Sequence, residues 1–215
     1  MRRPIYKRSE SGNTMVEFAL VAPFWIAMLF GTVAMGTNLT RTIQVVQASR
    51  DLANMYAKGT DFSAVGMQNL ITGDGGTSAS LIQGMSLTYP AGSTGNAVIY
   101  FSQVRHVLST DLDCASTCAN ANSYVYVNYL PYGNTTLVSS YVGSGPATSD
   151  TNSQGNTNNP LTNTSDKTNQ KLLFANTYTM PGNASVAYVV EVYMSSPDLS
   201  FLGFGGSGNY SRAVF

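Results

Sequence analysis

The stretch from Met15 to Thr37, MVEFALVAPFWIAMLFGTVAMGT, runs for 23 residues with a single charge, Glu17. As a helix rising ~1.5 Å per residue it is long enough to cross the ~30 Å hydrocarbon core of a bilayer. Arg2, Arg3, Lys7 and Arg8 precede it, four of the eleven basic residues in a chain of 215. The bias of positive charge toward the cytoplasmic side predicts a cytoplasmic N-terminus and translocation of everything after Thr37. A cleaved secretory signal would share the basic leader and the apolar run. Here, however, the run exceeds the usual ~7–15 residues and opens on a carboxylate. It also passes through Gly36-Thr37-Asn38-Leu39 into further helical pattern, with no small-residue cleavage site.

Two residues inside the run need their own explanation. An ionised carboxylate at Glu17 is costly in a membrane segment unless it finds a partner or the interface. It fits an interfacial position in the first helical turn, stabilised by the helix N-terminus and water. It equally fits a chain cut after Gly12, in which Asn13 is the new N-terminus and Glu17 its fifth residue. An α-ammonium and a carboxylate four residues apart are helical neighbours, and in a packed bundle one subunit's ammonium could neutralise the next subunit's carboxylate. Pro23 removes a backbone hydrogen bond and crowds the preceding turn, so a kink or loosening is expected near Ala19 to Pro23. Gly31, Ala34 and Gly36 offer small surfaces for helix contact without a G-x-x-x-G pattern.

The segment Gly12-Asn13-Thr14-Met15-Val16-Glu17-Phe18-Ala19-Leu20-Val21-Ala22-Pro23 resembles the G-x-x-x-VEFALVxP opening of the TadE/TadG-like minor pilins, or pseudopilins, of the Tad (tight adherence) branch of type IV pilus systems. The likeness continues through Asn38 to Ala57. Val189 to Tyr193 and Tyr210 to Phe215 are similar to the family's closing strand and final segment. Residues 58 to 183 carry no such likeness. The resemblance implies that Gly12 precedes a prepilin-peptidase cut, that the mature subunit begins at Asn13, and that Glu17 serves subunit insertion. It also implies a basic leader left in the cytoplasm, and as partners the peptidase, other pilin or pseudopilin subunits and the inner-membrane assembly machinery.

Beyond Thr37, Leu39, Ile43 and Val46 on one flank and Val45, Ala48, Leu52 and Met55 on another recur at helical spacing, with Gln44, Gln47, Ser49, Arg50 and Asp51 between them. The helix is therefore expected to continue as an amphipathic stalk to about Ala57, where Lys58-Gly59 supplies a stop. A second short helix is expected from an Asp61 N-cap, with Phe62, Val65, Met67, Leu70 and Ile71 as apolar positions and a stop at Gly73. Strand patterns follow at Met85–Tyr89, Ala97–Leu108, Ser123–Leu130, Thr135–Val142, Leu173–Met180 and Ser185–Met194. Residues 143 to 170 contain almost no apolar side chain and read as a long mobile polar loop. The expected fold class is α+β. A basic leader (1–12) precedes a transmembrane and stalk helix (13–57), which carries a small antiparallel sheet in an extracytoplasmic head (58–215).

Cys114 and Cys118 are the only cysteines. In an oxidising compartment they are expected to form a disulfide closing a small loop. They lack the further soft ligands of a metal site, and His106 has no partner at ligand spacing. Asp111 and Asp113 beside them fit a turn better than a calcium site. Nucleophile-elbow, zinc-protease and phosphate-loop motifs are absent from the sequence. No cofactor is expected and an enzyme is not. Net charge is zero over the chain. Residues 13–215 carry seven basic and ten acidic side chains, a net charge of −3, which gives nucleic acid no electrostatic footprint. The expected function is that of a structural subunit or assembly factor of a Tad-type pilus, single-pass in the bacterial inner membrane and in contact with lipid before assembly. The alternative is an uncleaved, membrane-anchored module whose Tyr- and Asn/Thr-rich head binds a cell-envelope partner or glycan.

Overall fold

A computed structural model describes residues 11–73, 84–109, 118–164, 186–195 and 208–215. Its first element is helix α1, Ser11–Ala57, 47 residues or ~70 Å of unbroken helix that passes through Pro23. The helix stops where expected: Gly59 adopts φ +86°, and the Thr60 amide donates to the Met55 carbonyl at 3.1 Å. Four strands follow, β1 (Ala97–Val107), β2 (Ser123–Gly133), β3 (Val186–Ser195) and β4 (Gly208–Val214). They form one antiparallel sheet in the order β2-β1-β3-β4. The molecule is thus α+β, one long apolar N-terminal helix with a small antiparallel sheet.

Only the second half of α1 meets the sheet. Val45, Leu52, Ala53 and Tyr56 are buried against Ile99, Phe101, Val190, Val192 and Ala213. At the outer end of the helix Phe62 stacks on Phe101 with ring centroids 4.2 Å apart, and Tyr56 meets Phe62, Phe101 and Tyr188 edge-on. Of the two apolar flanks read from the sequence, the Val45–Leu52 flank is the one covered. Leu39 and Ile43 stay exposed. Ser49, assigned to the polar positions, is fully buried, because its hydroxyl lies 2.8 Å from that of Ser211 on β4. The opposite sheet face carries a second cluster, Val104, Tyr124, Tyr126, Val142, Ala187 and Val189.

Several expected elements take other forms. Helix α2 is Val65–Thr72 and is flanked by Ala64, not Asp61. Asp61 instead closes a turn, accepting from the Ser63 amide at 2.8 Å and hydroxyl at 2.6 Å. Gly73 ends α2 in the left-handed conformation, as read. Met85–Tyr89 is not a strand. Met85 and Leu87 are buried on either side of the exposed Ser86, which explains the period-two signal, but the Ser86 amide donates to the Asn96 side chain. Thr135–Val142 is not a strand either: Asn134 Oδ1 captures the Thr136 amide and hydroxyl in a turn that leads the chain across the outer face. β2 runs past Leu130 through Pro131 to Gly133, tolerable for proline because β2 is an edge strand. Leu173–Met180 lies outside the described residues.

Residues 143–164 contain no helix or strand longer than the 3-10 turn Thr148–Asp150, yet they are tied to the outer edge of β2. The Tyr129 amide donates to the Gly155 carbonyl at 2.8 Å, and the Thr157 amide to that of Val127 at 3.0 Å. Gly155 sits at φ +77°, and a Cβ there would lie 2.6 Å from the Tyr129 carbonyl oxygen, so the approach requires glycine. Backbone hydrogen bonds to an open strand edge, not apolar burial, hold this segment.

Candidate functional site: the exposed first half of the long helix

Gly12, Asn13, Glu17 and Pro23 all lie on α1. From Asn13 to Glu17 the helix makes one turn, so the two positions share a face. Glu17 is exposed, and so are Met15, Phe18, Leu20, Phe24, Trp25, Met28 and Leu29 around and beyond it. The most apolar 18-residue window of α1 is wholly unburied, and α1 is long and apolar enough to cross a membrane. An apolar surface of this extent, left bare by the protein's own head, marks a membrane or protein contact.

The head begins where this surface ends. Thr42 donates to Asn209 Oδ1 at 2.8 Å, and Asn209 Nδ2 donates to Asn38 Oδ1 at 3.1 Å, so β4 is docked one residue after the apolar run. β4 then follows the helix outward, Ser211 reaching Ser49 at 2.8 Å. If Thr37 marks the outer limit of a span, the described head starts at the membrane surface with no bare stalk between.

Within the head, Glu191 is a site residue that the sequence reading missed. It is 1% exposed on β3, and its carboxylate accepts from Ser140 Oγ, the Tyr141 amide at 2.9 Å and Tyr210 Oη at 2.6 Å. It thereby pins the 134–142 crossover and β4 to the central strand. Burial, followed by the Glu191 charge, raises the phenol of Tyr100 to about 12, and the same two causes raise that of Tyr126. Burial and the same charge also raise the phenol of Tyr210. An aromatic-rich strand with one acidic residue, VVEVY, gave no sign of which face that residue takes. His106 lies on β1, its ring stacked on Tyr124 at 4.5 Å. No group of three or more His, Cys, Asp or Glu side chains able to hold a metal occurs among the described residues. Cys114, Asp111 and Asp113 lie outside them, so the expected disulfide to Cys118 rests on the sequence.

These features define a class: a protein with one N-terminal helix able to span a membrane and a small α+β head seated on its outer half. Residues 12–54 match the family of TadE-like proteins, the same stretch that comprises the exposed apolar run and the first turns beneath the head. The match identifies this segment as TadE-like, consistent with a protein of the Tad pilus, and the family is a structural, pilus-associated one. No curated protein and no solved structure matches the chain.

Proposed function

We propose that the protein is a minor pilin of a Tad-type pilus, matured by a prepilin-peptidase cut after Gly12. Residues 1–12 remain cytoplasmic, Asn13 becomes the N-terminus, and the head faces the periplasm or the exterior. Before assembly the apolar half of α1 is solvated by lipid. On assembly it exchanges lipid for the helices of other pilin or pseudopilin subunits, handled by the inner-membrane machinery. The new α-ammonium at Asn13 and the Glu17 carboxylate then supply a charge pair for the subunit interface, one charge neutralising the other where water is excluded. Loosening at Pro23 gives the helix freedom to bend around its neighbours. The Cys114–Cys118 disulfide holds local shape in the head. The role is structural and not enzymatic: initiating, capping or decorating the filament.

The observation that carries this reading is the coincidence of the TadE-like match with a helix half whose large apolar side chains the head does not cover. The test is the intact mass of the protein recovered from its native membrane with the peptidase present. A mature N-terminus at Asn13 is expected. A retained residue 1 or 2 would replace the pilin with an anchored module.

A further inference from the structure

At the outer end of α1, on the side away from the apolar run, the structure encloses an open cleft of about 260 Å³. Its walls come from five separate parts of the chain, represented by Tyr56, Asp61, Gln103, Asn128, Gln154 and Tyr188. Asn128 organises them. Its side-chain oxygen accepts from the Tyr56 hydroxyl at 2.8 Å, and its Nδ2 donates to the Gln154 carbonyl at 2.9 Å and to Asn156 Oδ1 at 2.8 Å. Asn128 is itself buried, so the wall is set before any ligand arrives, which lowers the ordering cost of binding.

The groups left facing the cleft have a definite chemistry. Asp61 is exposed and uses only Oδ1 in its turn, so Oδ2 is available as an acceptor. Gln154 is also exposed and accepts from Ser153 through Oε1, so its Nε2 is available as a donor. Tyr188 is half-buried, its ring edge-on to Tyr56, and offers an aromatic surface at the rim. No Lys, Arg or His lines the cleft among the described residues. An anion would meet the Asp61 carboxylate with no cation to offset it. An apolar ligand would bury the carboxylate and amides without partners. A ring with a C–H face for the tyrosine and paired hydroxyls for the carboxylate and amide satisfies all three. The volume falls just below the ~300–1,000 Å³ of pockets for drug-sized ligands, which limits the occupant to one or two such rings.

We propose that this cleft binds a neutral saccharide unit, with Asp61 and Gln154 recognising hydroxyls and Tyr188 supporting the ring. The proposal stands on the cleft alone and does not depend on processing after Gly12. The test is saturation-transfer NMR on the full-length protein in lipid nanodiscs, with glucose, galactose, mannose and N-acetylglucosamine as probes and glucuronic acid as the anionic comparison. At least one neutral sugar is expected to receive transfer. Its affinity should fall about tenfold in Asp61→Asn, which keeps the turn acceptor but removes the charge, and in Gln154→Ala, each by loss of one hydrogen bond. Both positions are exposed, and an unchanged thermal transition shows that each variant is folded. The proposal is overturned if no neutral sugar receives transfer, if both folded variants bind as the parent does, or if glucuronic acid binds more tightly than every neutral sugar.

Discussion

In residues 14–37 of α1, Phe18, Phe24 and Trp25 are each more than 70% exposed, whereas in residues 38–57 of the same helix Val45, Leu52 and Ala53 are at most 1% exposed. The backbone is continuous and both halves are rich in apolar side chains. The difference lies in what covers them. Burial of apolar surface is worth roughly 25 cal/mol per Å² wherever it occurs, and only the outer half collects it from this chain's own sheet. The first half is left without such cover. One helix therefore serves as the central core element of a folded head and presents a bare apolar half long enough to cross a membrane, with the boundary at the Asn38–Thr42–Asn209 hydrogen bonds.

That contrast can be broken or sharpened experimentally. The largest effect is expected at Glu17. Removing one partner of a buried ion pair costs about 3–5 kcal/mol, so Glu17→Val should lower incorporation into sheared pili more than about tenfold while the membrane pool persists. Incorporation at the parental level would exclude the proposed charge pair. Next, Leu52→Ala should destabilise the head by about 2–5 kcal/mol, and Leu29→Ala by less than about 0.5 kcal/mol. Thermal unfolding of the two full-length variants in the same detergent compares them directly, and equal shifts would erase the distinction between the helix halves.

Alkaline pH gives a third separation. Burial raises the phenols of Tyr56, Tyr126, Tyr129 and Tyr132, and that of Tyr100 to about 12. The folded head then holds protons that the unfolded chain, with tyrosines near ~10, has released. The resulting stabilisation is complete below about pH 10 and is lost as pH rises toward and beyond 12. The head's unfolding temperature should fall across that window, and the tyrosinate absorbance contributed by these five phenols should grow together with unfolding. Residues 14–37 contain no tyrosine, so membrane partition should not change. Complete ionisation of the tyrosines at about pH 10 in a fully folded head would contradict the burial of these five. A smaller effect than that of Leu52→Ala belongs to the polar seam between α1 and β4: Ser211→Ala removes one hydrogen bond to Ser49 and should cost about 1 kcal/mol in the same thermal assay.

The legibility of the sequence follows the same physics. β1 and β3 could be read because β-branched and aromatic residues dominate them and both pack at the centre of the sheet. β4 was not among the expected strands. Its helix-facing residues, Asn209 and Ser211, are polar because they meet Asn38, Thr42 and Ser49, so no apolar alternation announces the strand. Met85–Tyr89 had the alternation without the pairing. Residues 143–164 looked incapable of order on composition, which does not register the backbone donors and acceptors along the β2 edge.

The apolar helix, its length, the basic residues before it, the Gly12-to-Pro23 opening and the α+β class were all legible from the sequence, because each depends on residues adjacent in the chain. Only the tertiary structure decided where the head covers the helix and that Glu191 is buried beneath Ser140, Tyr141 and Tyr210. It likewise decided that Asp61, Gln103, Gln154 and Tyr188 share one cleft. Those properties depend on distances between residues far apart in sequence, and packing and hydrogen-bond geometry set such distances.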